Sequence, residues 1–181
     1  VTPDGERSMN TYLGISTELG PRDIPEKVAT ASEMIFLEGY LFDKNQGKEA
    51  FRQASRMTRT AGGRAGIAIS DPFCVNRHRN DFIEMIKNDL DFVIGNEHEI
   101  KSLYETNDLE AAMSKTADMI KLMVCTRSGD GVTIMSNGER HDIPVNKITP
   151  VDATGAGDQF AAGFIYGMVT GRDLETCGKM G

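Results

Sequence analysis

The sequence predicts an α/β fold: a mainly parallel sheet with helices on both faces. Three observations carry the prediction. Short apolar runs alternate with stretches of helix-forming composition, the pattern of repeated β-α-β units. The apolar runs stop at Gly, Asn or Asp-Pro, residues that punctuate strands. The 181 residues match the usual size of one domain and are enough to bury a core. With 39% hydrophobic and 26% charged residues, nothing in the chain reads as a disordered or low-complexity tail.

The elements follow in order. Asp4-Gly5 is a turn signal, and Arg7 to Leu13 has the content of a strand, one arm of a hairpin. Met34 to Leu37 reads as a strand ending at Glu38-Gly39, followed by a helix from Lys44 to Thr60 that closes on Gly62-Gly63. Ile67 to Ser70 is the next strand, ended by Asp71-Pro72, with a helix over Asn80 to Lys87. Phe92 to Ile94 ends at Gly95-Asn96 before a further helical stretch, and Asp108 caps a helix that begins at Leu109. Leu122 to Thr126 is a strand. Gly131 to Met135 and His141 to Val145 flank Asn137-Gly138, a hairpin signal that predicts an antiparallel edge. Gly155 to Thr170 has helical apolar spacing, and its small Gly163 and Gly167 predict close packing against a neighbour.

One segment points to chemistry. In Val151-Asp152-Ala153-Thr154-Gly155-Ala156-Gly157-Asp158-Gln159-Phe160 a loop of small residues runs directly into that last helix. A helix start presents unpaired N–H groups and about half a positive charge, and Gly-Ala-Gly lets a phosphate approach them without side-chain obstruction. Asp158, in the first turn, is placed to take a proton from a hydroxyl aligned on a bound phosphoryl group. On residue types alone the glycines serve equally as a tight loop, with Asp158 as a helix-start carboxylate. Likewise Asn96 and Glu99 read first as a capping box, Thr126 to Gly131 as a β-turn, and Asp152 as a strand-end carboxylate. Glu38-Gly39-Tyr40 and Ser70-Asp71-Pro72-Phe73 lie at strand ends, where ligand crevices of open α/β sheets form.

The segment Asp-Ala-Thr-Gly-Ala-Gly-Asp-Gln-Phe closely resembles the C-terminal signature D-T-x-G-A-G-D-x-F of the ribokinase-like, or PfkB, carbohydrate kinases, with Ala153 in place of the commoner Thr. The resemblance covers most of the chain. It implies a ribokinase-like three-layer sandwich, Asp158 as the catalytic base and Gly155, Ala156 and Gly157 as an anion hole. Asn96-Glu97-His98-Glu99 resembles the family's N-x-x-E motif, which implies that Asn96 binds ATP phosphate and that Asn96 and Glu99 influence Mg²⁺ through water. Thr126-Arg127-Ser128-Gly129-Asp130-Gly131 is similar to the nucleotide segment T-x-G-x-x-G. Thr126, Gly129 and Gly131, together with Asp158, are the implied ATP-binding positions, and Ser128 stands where the first Gly is expected. Asp152 is similar to the residue that helps hold a monovalent cation, K⁺.

The implied activity is ATP-dependent phosphorylation of a primary hydroxyl on a sugar or nucleoside, of adenosine, ribose or fructose type. Adenosine-kinase-like and sugar-kinase-like members both fit. A non-catalytic nucleotide-binding or regulatory member of the same fold is the alternative. Residues 1–181 are then read as one PfkB-type kinase domain. The chain begins with Val and stops soon after a helical run begins, so it is taken as a fragment lacking the N-terminal substrate and lid region and the C-terminal end. A homodimer is compatible with this reading.

Several classes are disfavoured. The 20 Lys and Arg against 27 Asp and Glu give a formal charge of -7, which opposes nucleic acid as a partner. No run approaches the roughly 20 apolar residues of a spanning helix, and residues 1–7 lack a signal peptide's apolar core, so the expectation is a cytoplasmic chain without a membrane partner. Three separated cysteines without a C-x-x-C pair predict reduced thiols. His98-Glu99 lacks the second His of a zinc protease, Gly171 to Lys179 is not a P-loop, and no G-x-G-x-x-G follows the first strand as a dinucleotide fold requires. His78 and His141 read as surface or packing residues. Arg52, Arg56, Arg59 and Arg64 read as a solvated helix face followed by a loop.

Overall fold

The computed structural model describes residues 1–181. Six strands form one sheet in the spatial order of the sequence: β1 (Met34–Glu38), β2 (Arg64–Ala68), β3 (Phe92–Asn96), β4 (Leu122–Thr126), β5 (Val132–Ser136) and β6 (Glu139–Ile143). β1 to β4 are parallel, and β5 and β6 close the sheet as an antiparallel hairpin. The helices are α1 (Glu26–Ala31), α2 (Asn45–Thr60), α3 (Pro72–Asn88), α4 (Glu97–Ser102), α5 (Leu109–Ala117), α6 (Ala156–Val169) and α7 (Leu174–Met180).

Strand alternation sorts the core into two layers. In β3, Val93 faces one side while Phe92 and Ile94 face the other, because successive side chains point to opposite faces. On the first side Phe51 of α2, Phe82, Met85 and Ile86 of α3, and Ala112 and Met113 of α5 pack into a cluster of 20 buried residues, twice the size of its counterpart. Phe42 stacks on Phe82 with ring centroids 4.1 Å apart, both fully buried, each ring contributing roughly 1.5–3 kcal/mol by its removal from water. On the second side Phe164 and Met168 of α6 and Cys177 of α7 cover Val124, Ile134 and Ile143 in a cluster of 10. Helices therefore lie on both faces, as expected. The close packing predicted for Gly163 and Gly167 is against α7: a Cβ on Gly163 would stand 2.0 Å from the Met180 carbonyl oxygen.

The Asn137-Gly138 hairpin forms, with both residues at positive φ (51° and 82°), as a two-residue type I′ turn requires. That tight turn pairs Ser136 with Glu139, so β6 begins two residues before the expected His141. α3 starts at Pro72, not Asn80. Asp71 does not merely stop β2; it caps α3 by accepting from the Phe73 and Cys74 amides at 3.1 and 3.2 Å, with Pro72 in the first turn, where its missing N–H costs nothing. The expected strand from Arg7 to Leu13 does not form. A strand exists only as part of a ladder, and no strand of this chain runs beside this segment. The arginine row of α2 is also less solvated than expected: Arg52 faces Asp81, Glu84 and Asp89, and Arg59 is 3.2 Å from Asp91.

Candidate active site

The four parallel strands deliver their C-terminal ends to one edge of the sheet, which places Glu38, Asn96 and Thr126 along it. The β3–β4 register sets Asn96 directly beside Thr126, bringing together two residues singled out from separate motifs. The start of α6 joins the same edge: Asp158 is close enough to Glu38 for its charge to raise the Glu38 carboxyl.

The glycine loop is built as an open cradle. Gly155 caps α6 at φ +76°, a left-handed conformation that glycine adopts without strain. Within the chain, the Ala156 amide donates to the Ala153 carbonyl at 3.2 Å, while the amides of Gly155, Gly157 and Asp158 have no acceptor. Of the three positions assigned to the anion hole, Gly155 and Gly157 thus offer free donors, Ala156 does not, and the Asp158 amide adds one. Gly157 has nothing within 4 Å of where a Cβ would stand. Packing does not explain a glycine there, and in a helix it costs roughly 0.5–1 kcal/mol relative to alanine. Approach of a ligand to the amides does explain it. Asp158 is exposed and free of any hydrogen bond from the chain.

The Asn96 corner is its opposite. Asn96 Oδ1 accepts the Glu99 amide at 3.0 Å, Glu99 Oε2 accepts the Asn96 amide at 2.9 Å, and Glu99 Oε1 accepts the Asn96 side-chain amide at 2.6 Å. Both carboxylate oxygens are engaged, and Glu99 is only 7% exposed. Burial raises its carboxyl to about 7; the Asn96 amide opposes the shift, and the charges of Asp71 and Glu38 add to it. The pair is thus a capping box as well as a site candidate. Its donor set fits water-mediated contact with Mg²⁺, and no three His, Cys, Asp or Glu side chains converge for direct coordination.

The 126–131 loop leaves β4 as a short 3-10 turn, Ser128–Asp130. Gly131 sits at φ +88° with the Ile143 carbonyl oxygen 2.1 Å from a Cβ position, so the fold alone requires glycine there. Gly129 is exposed with open space around it. Ser128 keeps φ +50°, a left-handed conformation, at the position where the motif has Gly. No hydrogen bond joins this loop to the glycine loop. Asp152 is exposed and accepts the Thr154 amide at 2.8 Å; hydrogen bonds from Thr154 hold its carboxyl below the usual range.

The structure adds a charge the motifs did not reveal. The Ala153 amide donates to the Gly5 carbonyl at 3.1 Å, and Gly5 packs on Pro150, so the start of the chain lies along the glycine loop. The guanidinium of Arg7 thereby acts on both Asp152 and Tyr40, placing a cation beside the anion cradle. No local spacing marks Arg7; the contact is made across about 145 residues of chain.

An open parallel-sheet edge with free amides and a carboxylate at one helix start fits the binding of an anionic group such as a phosphoryl. The chain belongs to the pfkB family of carbohydrate kinases, whose profile matches residues 1–181. A probable sugar kinase from Rhizobium etli CFN 42 superposes with a TM-score of 0.96 at 42% identity, over 99% of this chain and 55% of that one. An adenosine kinase from Sinorhizobium meliloti gives 0.96 and 42%, over 99% and 56%. The cytidine kinase of Thermococcus kodakarensis is 28% identical across 98% of this chain and 62% of its own length. The fold is ribokinase-like, and this chain spans less than two thirds of the length of these relatives. No helix is long and apolar enough to cross a membrane.

Proposed function

We propose that this chain is the phosphoryl-transfer part of a kinase that moves the γ-phosphate of ATP to a primary hydroxyl of a nucleoside or sugar. The observation that carries the reading is the glycine loop: three unpartnered amides and a free carboxylate on one helix turn at the ligand edge of the sheet. Asp158 takes the proton of the acceptor hydroxyl as its oxygen attacks phosphorus. The amides of Gly155, Gly157 and Asp158, with the helix dipole behind them, hold the phosphoryl oxygens and need no reorganisation as charge develops. Thr126 and Asn96, adjacent in register, border the path of the nucleotide phosphates, and Gly129 leaves open space for the nucleotide. Asn96 and Glu99 would hold Mg²⁺ through water, where the ion would supply neutralisation of phosphate charge. Asp152, ionised and exposed, is the side chain for a monovalent cation.

The equal likeness, at 42% identity, to an adenosine kinase and to a probable sugar kinase makes adenosine, ribose and fructose the acceptors to test side by side. The chain is one part of a longer kinase domain, consistent with its share of its relatives' length. Three buried, unpaired cysteines fit a reducing cytoplasm. The test is ATP consumption by the full-length protein against nucleosides, ribose and fructose, with Asp158→Asn as control. Turnover with one acceptor, falling about 10²–10⁴-fold in the variant while nucleotide affinity holds, is the expected result. Turnover retained by Asp158→Asn, or nucleotide binding without turnover on any acceptor, overturns the reading.

A further inference from the structure

Ser70, between β2 and α3, has φ +74°, a region side chains rarely adopt. Glycine takes that conformation freely, so what a serine adds is its hydroxyl. The hydroxyl donates to Glu38 Oε2 at 2.8 Å and accepts from the Gly39 amide at 3.0 Å. The Ala68 carbonyl, 3.1 Å away, competes for the one proton, and the carboxylate is the stronger and nearer acceptor. Gly39 is itself pinned, since a Cβ there would stand 2.4 Å from the Ile69 carbonyl oxygen. The ends of β1 and β2 therefore meet backbone to backbone, with Ser70 as the brace.

Ser70 is the sole hydrogen-bond partner of the Glu38 side chain. Around Glu38 stand Asp158 from α6, Glu99 from α4 and Tyr40 from the turn after β1, while Asp71 at the start of α3 and Arg7 from the start of the chain act on Tyr40. Burial raises the Glu38 carboxyl, the Ser70 hydroxyl opposes that shift, and the Asp158 charge adds to it. Half-buried and held by one bond, Glu38 depends on Ser70 for its orientation, and the Ser70 hydroxyl favours its charged form.

We propose that Ser70 is a positioning residue: its strained backbone aims the hydroxyl at Glu38 and holds that carboxylate in one orientation facing Asp158. The role in catalysis rests on the kinase reading above. A carboxylate charge held near a second carboxylate favours a proton there, so a Glu38 fixed in place beside Asp158 assists arrival of the acceptor's proton on this edge.

The first measurement is a pH titration by NMR of the full-length protein with ¹³C-labelled glutamate side chains, in the wild type, Ser70→Gly and Ser70→Asn. Glycine keeps the backbone and removes the hydroxyl; asparagine tolerates the backbone and retains a donor. The Glu38 midpoint is expected to rise in Ser70→Gly, to return part of the way in Ser70→Asn, and Glu99 to stay unchanged in both. The second measurement is the pH profile of kcat/KM for the full-length kinase. Ser70→Gly is expected to move the acid limb to higher pH and lower the rate about tenfold on that limb, and to have no further effect in a Glu38→Gln background. An unmoved Glu38 midpoint, or a Ser70→Gly loss that persists undiminished in Glu38→Gln, overturns the proposal. A moved midpoint together with no turnover by the wild type overturns the kinase reading and keeps the Ser70–Glu38 coupling.

Discussion

The ligand edge has two corners built on opposite plans. At Asn96 and Glu99 every polar atom of the pair but one amide hydrogen and spare lone pairs is committed within the chain, and the carboxylate is buried. At Gly155, Gly157 and Asp158 the amides are uncommitted within the chain, and the Asp158 carboxylate is exposed and free. Both lie at the start of a helix that follows the sheet's C-terminal edge, so the helix dipole favours negative charge at each. The difference teaches what each does with its polar groups: one corner closes them on one another within the chain, the other leaves them available to a ligand. Substitution at the closed corner should therefore change how stability depends on pH, and substitution at the open corner should change binding.

The largest effect is expected at Glu99. Its folded carboxyl lies at about 7 against an ordinary 4.5, so the group's contribution to stability is present below 4.5 and is lost as pH rises through 7, by roughly 3 kcal/mol in all. Glu99→Gln removes that titration. Urea midpoints should show the variant gaining on the wild type by up to about 3 kcal/mol between pH 4.5 and 7.5, and a difference that is flat with pH would break the comparison at its buried corner. At the open corner, Gly155→Ala forces a side chain into φ +76° and should destabilise by about 1–2 kcal/mol in thermal melts.

Gly157→Ala sharpens the contrast most directly. With nothing near the new methyl, helix propensity should raise stability by about 0.5–1 kcal/mol, while nucleotide affinity in the full-length protein, read by calorimetry, falls. Loss of stability with unchanged affinity would return this glycine to a purely structural role. The smallest effect is at Ser128, where glycine relieves a left-handed serine and should add about 0.5 kcal/mol, checked by the same melts.

Much of the site was legible because its signals are local. The loop from Asp152 to Asp158 needs only a helix start and small residues, and Asn137-Gly138 needs only a two-residue turn. Asn96 and Glu99 satisfied their structural reading in full, since a capping box is closed within four residues; the nucleotide role proposed for them depends on a ligand the box does not require. The first two turns of α3 were missed because Asp-Pro both ends strands and starts helices, and only the Asp71 contacts to the Phe73 and Cys74 amides separate the two.

The sequence by itself determined the alternation of strands and helices and the glycine loop at the head of α6 with Asp158 in its first turn, all through rules that operate within a few positions. Only the tertiary structure decided that Arg7 lies by the glycine loop, that Ser70 braces Glu38 from 32 residues away, and that Arg7 to Leu13 forms no strand. Those outcomes depend on which strand ends become neighbours, which is set by sheet order and register. No residue carries that information alone, because a hydrogen bond across the fold is specified by two distant backbones being held in place at once.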